Sequence, residues 1–219
     1  MSRSLTLVIG NKNYSSWSLR PWLLMRHHGI LFDEIRLPLD TPEFERGVAR
    51  LSPSRRVPVL HDGELVVWDS LAISEYVSET LLGGAGWPAD PARRAVARSV
   101  SAEMHSGFQA LRNALPLNCR RRVPGFVVPA DAAGDIDRIA RIWRECRERA
   151  ADGPFLFGAF SIADAMYAPV VLRFRTYGVA FDGAAARYAE TMLGLAALQE
   201  WLAAAESEGL ALPKYDAIA

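Results

Sequence analysis

Arg56-Val57-Pro58-Val59-Leu60, read together with Trp68-Asp69-Ser70-Leu71-Ala72-Ile73, decides the architecture of this chain. After Arg56 the first stretch is a short apolar strand with a proline as its second residue. His61-Asp62-Gly63-Glu64 follows as a tight turn carrying Asp-Gly, and Leu65-Val66-Val67-Trp68 as a second strand. An acid and a hydroxyl then open a helix, so the segment reads as a hairpin followed by a capped helix. Pro58 has no N–H to give a strand ladder and belongs at an edge, a strand start or a bend. A proline at such a point is also the usual source of a cis peptide, which turns the preceding backbone outward. Val57 then offers its N–H and C=O as a free edge for an extended peptide. Asp69 and Ser70 stand where a helix N-terminus gathers unpaired N–H groups, a place suited to a carboxylate. A β-edge, an anion site and an acid for an ammonium group are the three handles of a small zwitterionic peptide.

Working outward, Ser4 to Ile9 reads as a buried strand and Gly10 to Ser18 as a turn-rich loop. A helix is expected from Leu19 to His28, with Pro21 in its first turn and Gly29 beyond its end. Phe32 to Leu37 reads as a second strand crossing back in parallel, which makes a βαβ unit. Thr41-Pro42-Glu43 starts another helix with a cap, a proline and an acid at its positive end. The hairpin and an Asp69–Leu82 helix complete the order β-α-β-α-β-β-α, that of a thioredoxin-like α/β domain. Gly83-Gly84-Ala85-Gly86-Trp87-Pro88 breaks periodicity and serves as a linker. No strand precedes these glycines and no Gly-Lys-Ser/Thr follows them, so they are no phosphate loop.

From Asp90 onward the pattern is helical. Asp90-Pro91 caps a long helix expected to reach Leu115, where Pro116 ends it. Asn118 to Asp131 is polar and contains Arg120-Arg121-Arg122, which reads as a solvated face. Ile136, Ile139, Ala140, Trp143 and Cys146 share one helical face, so Cys146 belongs to the core. Ser161-Ile162-Ala163-Asp164 is a capping box with Asp in place of the usual Glu or Gln, and its role is stability. Gly194 and the Leu195–Glu208 segment close the chain with two short helices, and the tail from Leu212 carries no pattern. The domain reading is 1–82, a linker at 83–90, and an all-helical unit at 91–219.

Composition excludes several classes. The chain has 219 residues, half of them hydrophobic, with 25 basic and 25 acidic side chains. Neither part of the chain is a polyanion-seeking surface, so nucleic acid is not an expected partner. Cys119 and Cys146 show no metal spacing, so no metal site is expected and a reduced, intracellular setting follows. No stretch has the signature of a leader or a membrane span, which makes the cytoplasm the expected location and a membrane no expected partner.

Val-Pro-x-Leu followed by Asp-Ser-x-Ala-Ile at the next helix start resembles the glutathione-binding half of the glutathione S-transferases. By that resemblance the Val57 main chain pairs with the cysteinyl residue of glutathione, Pro58 shapes the site, and Asp69 and Ser70 hold the γ-glutamyl end. Arg56, beside Val57, is a further candidate carboxylate ligand. Ser-Ser-Trp-Ser-Leu-Arg at 15–20 is similar to the Ser-Ser-Cys-Ser-x-Arg stretch of the zeta class. The match implies Ser15 as the hydroxyl that donates to the glutathione thiolate, with Ser16 as its neighbour in the site, Arg20 packed nearby and Tyr14 a rival hydroxyl. Trp17 stands where the zeta class has its cysteine and lines the glutathione site. Glutathione chemistry needs the thiolate, and a hydroxyl at a helix N-terminus is a physical means of stabilising it. No cysteine precedes Cys119, which disfavours a mixed-disulfide mechanism.

Ser106 to Asn113 resembles the zeta-class Gly-Ile-Gln-Pro-Leu-Gln-Asn stretch, which implies that Arg112 and Asn113 reach glutathione or an acidic second substrate across the cleft. Arg120, Arg173 and Arg175 are further candidates to line that second pocket, and His105 is expected to pack or to be solvated. The resemblance therefore implies a glutathione transferase fold, glutathione as co-substrate, a small electrophile as partner and a homodimer. The activity implied is addition of the glutathione thiolate to the electrophile. The alternatives are a zeta-like cis–trans isomerisation of an acidic, maleylacetoacetate-type substrate, a peroxidase, and a non-catalytic binding module.

Overall fold

The computed structural model describes residues 4–150 and 152–217. The outermost ends of the expected 1–82 and 91–219 units lie outside them. β1 (Leu5–Ile9) is apolar on both faces because it is covered on both. Leu5, Leu7 and Ile9 enter the larger core beside α1 (Ser16–His27) and α3 (Ser70–Leu81). Val8 joins Val59, Leu37 and Val48 of α2 (Pro42–Leu51) in a smaller core on the other side. That division is the period of two that a pleated strand imposes. β2 (Asp33–Arg36) pairs parallel with β1, and β3 (Val59–Asp62) pairs antiparallel with it. β4 (Leu65–Trp68) completes a mixed sheet of order β2-β1-β3-β4.

The second half is helical: α4 (Pro91–Ser106), α5 (Gln109–Ala114), α6 (Ala130–Arg149), α7 (Ile162–Tyr177), α8 (Gly183–Leu193), α9 (Ala196–Ser207) and α10 (Pro213–Asp216). α7 is the central rod, buried almost throughout. Its N-terminus is the expected capping box, in which Asp164 accepts from the Ser161 N–H at 2.9 Å and the Leu156 N–H at 3.0 Å. The glycine-rich stretch before α4 docks on that same end: the Ile162 N–H donates to the Gly86 C=O at 2.9 Å. A Cβ at Gly86 would lie 2.7 Å from the Ser78 side chain, so only glycine lets the backbone pass. Among the described residues no helix is long and apolar enough to cross a membrane, and no cluster of side chains suits a metal ion.

Several boundaries differ from the sequence reading. The helix expected from Leu19 begins at Ser16, because Ser15 supplies a cap one turn earlier. Pro21 therefore sits inside α1 rather than in its first turn, where it removes one backbone hydrogen bond. β2 is shorter than Phe32–Leu37. In the hairpin Asp62 pairs with Leu65, so the turn is the two-residue loop Gly63-Glu64, and Gly63 has φ +60°. The single helix expected from Asp90 to Leu115 is two helices, broken at Gly107-Phe108. Phe108 takes the left-handed conformation at φ 60° and buries its ring in the core. Arg112 repairs the break, its guanidinium donating to the C=O groups of Gly107 and Met104. Asp135 Oδ2 accepts the Leu111 N–H at 2.9 Å and caps α5 from α6.

Candidate active site

The Val57–Pro58 peptide is cis. Val57 makes no main-chain hydrogen bond among the described residues. Beside it opens a cavity of about 250 Å³ walled by Trp17, Arg56, Val57, Pro58, Asp69 and Ser70. Asp69 caps α3, its Oδ1 accepting the Leu71 N–H at 2.8 Å and the Ala72 N–H at 3.4 Å. Its backbone lies at φ 76°, ψ 135°, a conformation that a non-glycine residue holds only where its surroundings enforce it. The Ser70 hydroxyl is buried and has no partner among the described residues. An orphaned buried hydroxyl in a cavity wall is a ready contact for a ligand's carboxylate.

A second, larger cavity of about 840 Å³ adjoins the first and shares Trp17, Arg56 and Val57 with it. Ser15 and Ser16 form its floor at the start of α1. The Ser15 hydroxyl donates to Ser18 Oγ at 2.7 Å, and Ser18 Oγ also accepts the Gly10 N–H at 3.1 Å. The Ser15–Ser18 pair is short enough to reverse: if Ser18 donates to Ser15, the Ser15 proton is freed for a group in the cleft. The helix N-terminus adds a partial positive charge at the same place.

Arginines surround this point. Arg173, on α7, donates to Ser16 Oγ at 3.4 Å and to the Leu115 C=O. Burial lowers its guanidinium to about 10, which leaves it a cation at neutral pH. Arg112 also lines the larger cavity, with Nε and Nη2 committed to the helix break and Nη1 without a hydrogen-bond partner among the described residues. Arg20 is fully buried and its nitrogens have no hydrogen-bond partner among the described residues. Its guanidinium carbon lies 4.3 Å from the centre of the Trp17 ring, and that of Arg112 5.0 Å from it. Burial, Arg112 and Arg173 hold Arg20 well below the usual guanidinium range. Trp17 thus packs its ring against two guanidinium groups.

Two of the arginines expected in the second pocket lie elsewhere. Arg120 donates to the C=O groups of Glu208 and Leu210 and to Tyr14 Oη, a set of main-chain and phenol acceptors that draws it away from the cleft. Arg175 lines neither cavity. Tyr14 is equally committed: its hydroxyl donates to Asp216 and accepts the Leu212 N–H at 3.1 Å. The tail read as patternless therefore packs onto the site, and Lys214 and Tyr215 line the larger cavity.

Sequence profiles described as glutathione S-transferase N-terminal domain and C-terminal domain match residues 14–80 and 129–204. The chain belongs to the glutathione S-transferase family. A maleylacetoacetate isomerase of Rattus norvegicus is 33% identical over 101 residues, 45% of this chain and 46% of that protein. A dichloromethane dehalogenase of Methylorubrum extorquens is 40% identical over 60 residues, 26% of this chain and 21% of that protein. The match thus spans less than half the length of these curated relatives. Among solved structures, a Burkholderia glutathione transferase homologue with bound glutathione superposes with a TM-score of 0.72 at 22% identity, covering 94% of this chain and 100% of that one. A zeta-class maleyl pyruvate isomerase superposes with a TM-score of 0.72 at 21% identity over the same shares. These likenesses show the fold.

Within this glutathione S-transferase frame, the structure brings Ser15, Ser16, Trp17, Arg56, Val57, Pro58, Asp69, Ser70 and Arg112 to two joined cavities. Sequence reasoning missed the contribution of the tail and of His105, whose Nε2 lies 3.2 Å from Asp69 Oδ2. A histidine two residues before a glycine break near a helix end was the only local signal, and it names no partner.

Proposed function

We propose that this chain is a glutathione transferase that adds the thiolate of glutathione to a small electrophile. The observation that carries the reading is the union of three features around Trp17: the free Val57 edge, the orphan Ser70 hydroxyl and the Ser15 hydroxyl at a helix N-terminus. In this reading Val57 pairs with the cysteinyl main chain, Asp69 and Ser70 hold the γ-glutamyl end, and Arg56 meets the glycyl carboxylate. Pro58 and Trp17 wall the peptide, and Ser16 and Arg112 border it from the larger cavity. Ser15 donates to the thiolate and lowers its pKa, with Ser18 relaying a hydrogen bond behind it. The electrophile occupies the larger cavity, where Arg173 favours an anionic one.

A second reading keeps the same groups and lets glutathione leave again, so that an acidic conjugated double bond is isomerised. The Arg173 guanidinium beside Ser16 supports it, as does the likeness to proteins named maleylacetoacetate isomerase. By family likeness we also propose a division at residues 83–90, a homodimer and a cytoplasmic location.

Calorimetric titration with reduced glutathione is the first test. Micromolar to millimolar binding that Asp69→Ala and Ser70→Ala each weaken by about 1–3 kcal/mol supports the assignment. A folded protein that binds no glutathione overturns it and favours a non-catalytic module. Product analysis with an acidic cis alkene then separates the two readings: a stable glutathione adduct speaks for transfer, and the trans isomer with glutathione recovered speaks for isomerisation.

A further inference from the structure

His105, in the last turn of α4, brings the helical half of the chain against Asp69, which walls the smaller cavity. Its Nε2 lies 3.2 Å from Asp69 Oδ2, and its ring meets that of Trp17 edge-on with centroids 5.3 Å apart. Asp69 is therefore met at both oxygens: Oδ1 accepts the N–H groups of Leu71 and Ala72, and Oδ2 faces the His105 ring. A carboxylate pinned in this way keeps one orientation and still has lone pairs for a further cation.

The charges facing His105 are mixed. Asp69 faces it from the cap of α3, Arg20 from α1 and Arg112 from α5. Burial is the largest influence and holds the imidazole below its ordinary range, and both guanidinium groups push the same way against Asp69. At neutral pH the ring is uncharged, so it lies against Asp69 without cancelling its charge. Nδ1 is buried with no partner among the described residues, and it is the atom that takes up a proton in acid.

We propose that His105 is a positioning residue of the glutathione site: neutral, it orients Asp69 for the ligand's α-ammonium, and protonated, it neutralises Asp69 and repels that ammonium. Acid then releases the amino end of the ligand. The inference rests on the assignment of Asp69 to the γ-glutamyl end.

The test is calorimetric binding of S-methylglutathione to the full chain between pH 7.5 and pH 5.0. The methylated sulfur removes thiol ionisation from the measurement. Wild-type affinity is expected to fall about threefold or more across this range, and binding at the acid end to release a measurable fraction of a proton. His105→Gln keeps an amide donor for Asp69 but has no proton to lose. Its affinity at pH 7.5 is expected to drop by about threefold or less and then to change less than about twofold on acidification. A His105→Gln profile that follows the wild type overturns the proposal, and so does a wild type that binds with no pH dependence and no proton release. The proton count is made on the wild type, so it decides even if the variant misfolds. Absence of binding at every pH is a different result: it removes the glutathione reading itself and this inference with it.

Discussion

The phenol of Tyr14 is fastened to the carboxylate of Asp216, 3.0 Å from Oδ1 and 2.9 Å from Oδ2. Arg120 Nη2 donates to the same phenol oxygen at 3.0 Å, and the rings of Tyr14 and Tyr215 stack with centroids 5.5 Å apart. A hydroxyl with this many partners ties the tail down and has no capacity left for a sulfur. Tyr14→Phe should therefore leave the ultraviolet thiolate titration of bound glutathione within about 0.3 pH unit and lower unfolding stability by about 1–2 kcal/mol. A shift as large as that of Ser15→Ala would return Tyr14 to the chemistry.

Ser15 and Ser18 act as a pair, 2.7 Å apart. Ser15→Ala removes the donor, and the thiolate titration should move up by about 1–2 pH units. Ser18→Ala removes the group that supports Ser15 from behind, and a smaller upward move is expected in the same absorbance measurement. If Ser18→Ala changes nothing, Ser15 works alone.

Arg112 has a structural duty besides any contact with a ligand. Two carbonyls at the α4–α5 break depend on its fork of donors. Arg112→Ala should cost about 1–3 kcal/mol in denaturant unfolding, and Arg112→Lys should recover little of it, because an ammonium cannot reproduce a planar fork. Full stability in Arg112→Lys would mean that only the charge matters.

Burial pushes the carboxyl of Asp164 up to about 6, against the pull of the Leu156 and Ser161 donors. The folded value lies above the unfolded one of about 3.9, so between roughly pH 4 and pH 6 the folded chain binds the extra proton. Stability from this group falls as pH rises through that window, and the loss is complete above it. Wild type is expected to lose up to about 3 kcal/mol more than Asp164→Asn over that range. Parallel stability curves for the two proteins would show that Asp164 titrates elsewhere.

What was legible in the sequence was local. Thr41, Asp69, Asp90 and Ser161 mark helix starts because a cap needs only its own next three residues. Pro58 and the apolar strands around it announce the sheet for the same reason. The break at Gly107 escaped because flanking residues favour helix, and it is paid for by Phe108 packing and Arg112, neither of which leaves a period in the sequence. The fastening of Tyr14 by Asp216, 202 positions away, is invisible to any window of neighbouring residues. So is the contact of His105 with Asp69, which joins the two halves of the chain.

Glu208 has a consequence for how the protein comes into being. Its carboxylate accepts the Lys12 N–H at 2.8 Å and the Asn13 N–H at 3.1 Å, just ahead of Ser15. Synthesis runs from the N-terminus, so the hairpin that would grip the peptide exists long before the loop that would activate its sulfur is anchored. A nascent chain shorter than 208 residues is expected to hold S-methylglutathione yet leave a thiol's titration unshifted, which chains stopped before Glu208 and after Asp216 would reveal side by side. If Ser15 activates the sulfur of glutathione as proposed, that chemistry arrives last, once the polypeptide has been written almost to its end.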